Sequence, residues 1–167
     1  ALGIPVFYYI SPQVWAWKAG RVKRIRRDVT ELCVILPFEQ EWYAGRGMDV
    51  TFVGHPLLDA IAEENDHPPT PLPGADGRPV IALLPGSRRQ EVERMLPVML
   101  AAAAGFTDHQ CVVAAAPALD DAVYAPFLRK SPALVVRDHT YALLRQARAA
   151  LVPSGTATLE TALFGVP

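Results

Sequence analysis

The chain has 167 residues, 51% of them hydrophobic, and a formal net charge of −1, enough apolar material for one ordinary domain or pieces of two. The near-neutral balance, with no nucleic-acid-reading motif, argues against a nucleic-acid binder, and no apolar run approaches the ~18–20 residues that cross a bilayer. With no signal-peptide pattern at its start, and with Cys33 and Cys111 far apart in apolar segments that carry neither zinc nor disulfide spacing, the chain is expected to be soluble and cytoplasmic, with buried reduced thiols and no metal.

Residues 6–10 form a short apolar run between Pro5 and Ser11-Pro12, which predicts a buried strand opening into a loop over residues 11–17. Residues 20–28 place Val22 and Ile25, followed by Val29, at helical spacing among arginines, which predicts an amphipathic helix with a strongly basic outer face. A second strand is expected at 32–36, a helix over 37–46 with Phe38, Trp42 and Tyr43 turned inward, and a third strand at 50–53. This alternation is that of an α/β protein with a parallel sheet. Residues 65–79 hold Pro68, Pro69, Pro71, Pro73, Gly74, Gly77 and Pro79, too many breakers for a regular element, and read as a linker or surface loop. A second α/β series follows, with strands at 80–84, 111–116, 134–136 and 150–152. Its helices fall at 90–104, where Pro97 predicts a kink, and at 141–147 and 156–164. The expected domains are 1–64 and 80–167. The strand-like start and the closing Gly165-Val166-Pro167 suggest further sequence on both sides.

Two loops carry the signals for chemistry. After the strand at 80–84, Pro85-Gly86-Ser87-Arg88 leads into a helix, a position suited to phosphate. Gly86 lets the backbone approach a ligand, free N–H groups and the helix dipole favour an anion, and the Arg88 fork matches phosphate oxygens. A purely structural account would make Ser87 and Gln90 a capping box and leave Arg88 in solvent. The Walker pattern of nucleotide hydrolases is absent.

The second loop, Ser154-Gly155-Thr156-Ala157-Thr158-Leu159-Glu160, repeats this arrangement after the strand at 150–152. Thr156 and Glu160, four apart on a helix, share one face. The first could meet a phosphate, and the second could accept from ribose hydroxyls. The structural alternative makes Ser154 a cap and Glu160 a partner of the helix dipole.

The run Tyr8-Tyr9-Ile10-Ser11-Pro12-Gln13-Val14-Trp15-Ala16-Trp17 resembles the signature of the lipid-A-disaccharide synthases. Leu36-Pro37-Phe38-Glu39, the stretch from Phe52 to Asp59, Leu83-Leu84-Pro85-Gly86-Ser87-Arg88 and the Ser154 loop follow in that family's order. The resemblance spans nearly the whole chain and is weakest over 65–79.

It implies a GT-B glycosyltransferase of family 19, with two Rossmann-like domains facing a cleft. The chain would hold the end of the first domain and part of the second. The implied reaction is inverting, with no cofactor and no metal: UDP-2,3-diacylglucosamine and 2,3-diacylglucosamine 1-phosphate give a β-1,6-linked disaccharide phosphate and UDP. On this mapping Gly86, Ser87 and Arg88 serve the diphosphate, Ser154, Gly155 and Thr156 close on it, and Glu160 faces the ribose. Arg137 and Asp138 stand where related transferases receive the uracil.

The family's catalytic base would precede Ala1, so the chain alone is expected to lack transferase activity. Trp15 and Trp17 beside Arg21 and Arg24 suit an anionic membrane surface, which gives a peripheral location at the inner face of the bacterial inner membrane. Core packing of the two tryptophans is the plainer account. His55, with no carboxylate or metal partner in sight, reads as structural. A homo-oligomer is compatible with the sequence. Two other readings stay open: another UDP-sugar GT-B enzyme, an epimerase or a peptidoglycan glycosyltransferase, and a non-catalytic nucleotide-binding module.

Overall fold

The computed structural model describes residues 3–129, 131–153 and 155–167, in two compact units, Ala1–Ala60 and Ile61–Pro167. In the first unit, strands β1 (Phe7–Tyr9), β2 (Glu31–Val34) and β3 (Thr51–Phe52) form a parallel sheet in the order β1-β2-β3. Helices α1 (Val14–Trp17), α2 (Val22–Asp28) and α3 (Phe38–Ala44) connect them. Val14, Val22, Ile25, Leu32, Val34, Tyr43 and Met48 make the core. The basic helix therefore buries Val22 and Ile25, as its spacing predicts, and leaves its arginines in solvent.

Four expectations fail in this unit. Cys33, expected to be buried, is only half-buried, as is Cys111 of the second unit. The first strand is not buried: Phe7 is 72% exposed and Tyr9 58%, and among the described residues β1 pairs with β2 alone. Residues 14–17 are a helical turn rather than loop. Phe38 is not turned inward but 46% exposed, and the inward group of its helix turn is Glu39, at 1%.

Glu39 is an acid held by N–H donors. Its carboxylate accepts from the Ile35 and Leu36 amides at 3.2 and 2.9 Å and from the Trp15 indole at 3.2 Å, the condition under which a buried charge is tolerated. The Ser11 hydroxyl bonds the Tyr43 hydroxyl at 2.7 Å, and burial pushes the Tyr43 phenol above its ordinary pKa.

Helix α4 (Pro56–Asp66) begins in the first unit and ends in the second. It has no counterpart among the predicted elements. Pro56 starts the helix, where a missing N–H costs nothing, and His55 Nδ1 accepts from the Leu57 amide at 3.2 Å.

In the second unit β4 (Val80–Leu83), β5 (Gln110–Ala115), β6 (Leu134–Arg137) and β7 (Ala147–Leu151) form a parallel sheet in the order β6-β5-β4-β7. Every residue of β4 is buried, as a strand covered on both faces requires. Val80 and Ala82 face a cluster with Val112, Val136 and Leu143. Ile81 and Leu83 face Val92, Leu96, Met99 and Tyr124, from α5 (Arg89–Ala103) and α6 (Asp121–Leu128). Helix α5 continues through Pro97. Helix α6 is absent from the predicted elements. Helices α7 (Thr140–Gln146) and α8 (Thr156–Leu163) complete the series. Residues 67–79 form neither helix nor strand, yet Leu72 is 4% exposed within the core, and the Gln110 and Gln146 amides donate to the carbonyls of Gly74 and Thr70.

The strand order fixes where a ligand can sit. From β4 the chain moves through β5 to β6, then returns past β4 to place β7 on its other side. The direction in which strands are added to the sheet reverses at β4 and β7, which run parallel, and in open parallel sheets the crevice beyond the carboxyl ends of such a strand pair receives ligands. Leu83 lies opposite Leu151, so the loops that follow the two strands leave the sheet side by side.

Candidate functional site

Those two loops wall a cleft of about 640 Å³ lined, among others, by Gly86, Ser87, Arg88, Gly155, Thr156 and Glu160. Ser154 lies outside the described residues. Helix α5 contributes Gln90, Glu91 and Arg94, and the third wall is the end of β5 with Ala116 and Pro117.

The first loop differs from its expectation in one respect. The Ser87 and Arg88 amides are not free: both donate to Glu91 Oε2, at 3.0 and 3.1 Å. The box partner is therefore Glu91, on the N-terminal turn of α5, and not Gln90. The Arg88 guanidinium also reaches Glu91 Oε1 at 3.2 Å, with its side chain 82% exposed.

In the second loop Gly155 precedes α8 with φ 89°, a conformation that favours glycine. Glu160 is half-buried, and its Oε1 accepts from the Tyr141 hydroxyl at 3.2 Å. Burial, and then the Glu160 charge, push the Tyr141 phenol above its usual pKa.

Arg137 does not line the cleft. Its guanidinium donates to the Ala116 carbonyl at 2.6 Å and to Asp121 Oδ1 at 2.7 Å, and that ion pair raises its pKa. With the Tyr124 hydroxyl accepting from the Ala116 amide at 2.8 Å, it pins the third wall. Asp138, at φ 58°, borders a separate hollow with Glu64, Thr70 and His139.

The aromatic pair of the first unit divides. Trp15 is tied to Glu39 and meets Phe38 edge-on, with ring centroids 5.1 Å apart, whereas Trp17 is 80% exposed. Arg21 and Arg24 are exposed on the neighbouring turns, with Arg24 3.4 Å from Asp28. Among the described residues no cluster of His, Cys, Asp and Glu could hold a metal, and no helix is long and apolar enough to cross a membrane.

A sequence model of the lipid-A-disaccharide synthetases matches residues 2–167. The chain belongs to the lipid-A-disaccharide synthetase family. Relatives named lipid-A-disaccharide synthase include those of Syntrophus aciditrophicus, 47% identical over 99% of this chain, and Anaeromyxobacter dehalogenans, 45% identical over 98%. The relative from Trichlorobacter lovleyi is 43% identical over 99% of the chain. The chain spans 45% of the length of each. Among solved structures, the glycosyltransferase SnogD from Streptomyces nogalater matches 86% of this chain and 43% of its own at 23% identity and a TM-score of 0.44, too slight a likeness to bear on the assignment.

Sequence reasoning missed Glu91 and Arg94. A signal for Glu91 was present, since it stands three residues after Arg88 and four after Ser87, the spacing at which a helix side chain reaches back to its own first amides.

Proposed function

We propose that the chain carries the nucleotide-sugar site of a lipid-A-disaccharide synthase of GT-B architecture. The whole enzyme condenses UDP-2,3-diacylglucosamine with 2,3-diacylglucosamine 1-phosphate, inverting the donor's anomeric centre and releasing UDP. The observation that carries this reading is the meeting of both predicted loops in one cleft beyond β4 and β7, together with the family membership.

In this reading the acceptor 6-hydroxyl gives its proton to a base outside this chain and attacks the anomeric carbon, while the bond to the diphosphate breaks. Negative charge grows on the departing UDP. Arg88, the N-terminal dipoles of α5 and α8 and the Thr156 hydroxyl are the groups assigned to offset it, and Glu160 is assigned to the ribose. No metal or other cofactor is assigned to this chemistry. In the whole enzyme Arg88→Ala lowers disaccharide formation at least about tenfold at saturating acceptor, measured by UDP release. Unchanged turnover would remove Arg88 from the site. An epimerase or a peptidoglycan glycosyltransferase would differ in acceptor: none for the first, a lipid-linked muramyl peptide for the second.

Exposed Trp17 beside Arg21 and Arg24 supports a peripheral contact with the anionic inner face of the inner membrane, reached from the cytoplasm. Trp17→Ser is expected to lower cosedimentation with phosphatidylglycerol vesicles and to leave neutral phosphatidylcholine vesicles equally unbound. Equal retention of variant and wild type would reject the contact.

A further inference from the structure

The seat that the first loop offers an anion is already filled by a group of the chain itself. Glu91 Oε2 takes both the Ser87 and the Arg88 amide, and Oε1 takes the Arg88 guanidinium. The loop is drawn tightly onto this side chain: a Cβ on Gly86 would lie 2.7 Å from Glu91 Cβ and 2.5 Å from Oε2. Glu91 also lines the cleft with Thr156 and Glu160. An amide has one proton to donate, so these two amides cannot serve the carboxylate and a phosphate oxygen together, and two anions side by side repel.

We propose that Glu91 is an internal competitor of the donor's diphosphate: it holds the empty loop in its anion-binding shape and is displaced when a nucleoside diphosphate enters. The inference rests on the UDP-sugar reading of the cleft. A destination for the displaced carboxylate lies one turn on. Arg94 is exposed, lines the same cleft, and has no ion-pair partner among the described residues. Residues three apart on a helix are neighbours, and the later one leans toward the earlier. Displacement also releases the Arg88 guanidinium, which then turns to the phosphate. A seat that refills with its own carboxylate favours departure of UDP after transfer and resists occupation by stray inorganic phosphate.

The test is calorimetric titration of UDP and of uridine into the chain and into Glu91→Gln, which keeps the side chain's length and one acceptor oxygen but removes its charge. Because a self-occupied site binds more weakly in proportion to its free fraction, the variant is expected to bind UDP roughly three- to tenfold more tightly. Uridine affinity is expected to stay the same. Weaker or unchanged UDP binding, or equal shifts for UDP and uridine, would make Glu91 a simple brace and overturn the proposal while the wild type still binds UDP. Absence of UDP binding to both proteins would overturn the UDP reading itself and the inference with it. Should Glu91→Gln fail to fold, the wild type supplies the answer by NMR: the Glu91 side-chain carboxyl resonance shifts as UDP saturates the site, and a resonance that stays put overturns the proposal.

Discussion

Glu160→Ala binds UDP roughly 10- to 100-fold more weakly than the wild-type chain, the range expected when a charged acceptor of hydrogen bonds is removed. Glu160 shares a face of α8 with Thr156, and both line the cleft. The Tyr141 hydroxyl fixes Oε1 at 3.2 Å, while Oε2 has no hydrogen-bond partner among the described residues. One oxygen orients the carboxylate and the other is left for a ligand hydroxyl. The alternative, a carboxylate that only complements a helix dipole, is a poor fit to a side chain on the second turn, since that effect fades within the first. Calorimetry on a variant shown to be folded decides between them: unchanged UDP affinity with lowered stability would make Glu160 structural.

Gly86→Ala lowers the stability of the chain by about 2–4 kcal/mol, from backbone strain and overpacking together, and abolishes nucleotide binding. Gly86 sits at φ 119°, where a side chain is disfavoured at any volume, and an added methyl would meet Glu91 at 2.7 Å. Relief of that contact requires Glu91 to leave the Ser87 and Arg88 amides, so the loop loses its shape as well. Gly105→Ala is the control: its φ lies outside the positive range and nothing stands within 4 Å of an added Cβ, so its effect stays within about 0.5 kcal/mol. Urea unfolding followed by circular dichroism gives both values, and equal midpoints for the two variants would show that the loop tolerates a side chain.

The alternation of strands and helices was readable from hydrophobic period alone, because β4 and β5 are covered on both faces and appear as continuous apolar runs. Helices α4 and α6 were not. Pro56 and Pro126 look like breakers in a one-dimensional reading, although one sits at a first helical position and the other within an eight-residue helix. Local sequence also favoured burial of β1, whose apolar side chains no described element covers, since Phe7, Tyr8 and Tyr9 are all exposed.

At the site, the glycines and the helix starts after β4 and β7 were visible because turn chemistry is local. That the two loops are adjacent follows only from strand order, which pairs β7 with β4 although β5 and β6 lie between them in the sequence. Glu39 and Glu91 were overlooked for a common reason. Each is a carboxylate that satisfies the chain's own amides, whereas charged residues in a sequence are ordinarily read as solvated or as facing a ligand.

The most direct test of the two-loop site is a UDP titration of the isotope-labelled chain followed by amide NMR. Shifts are expected to concentrate at Gly86, Ser87 and Arg88 and at Gly155, Thr156 and Glu160, with Phe106 and Thr107 unmoved. Shifts confined to other segments, or no saturable change with UDP in folded protein, would contradict it.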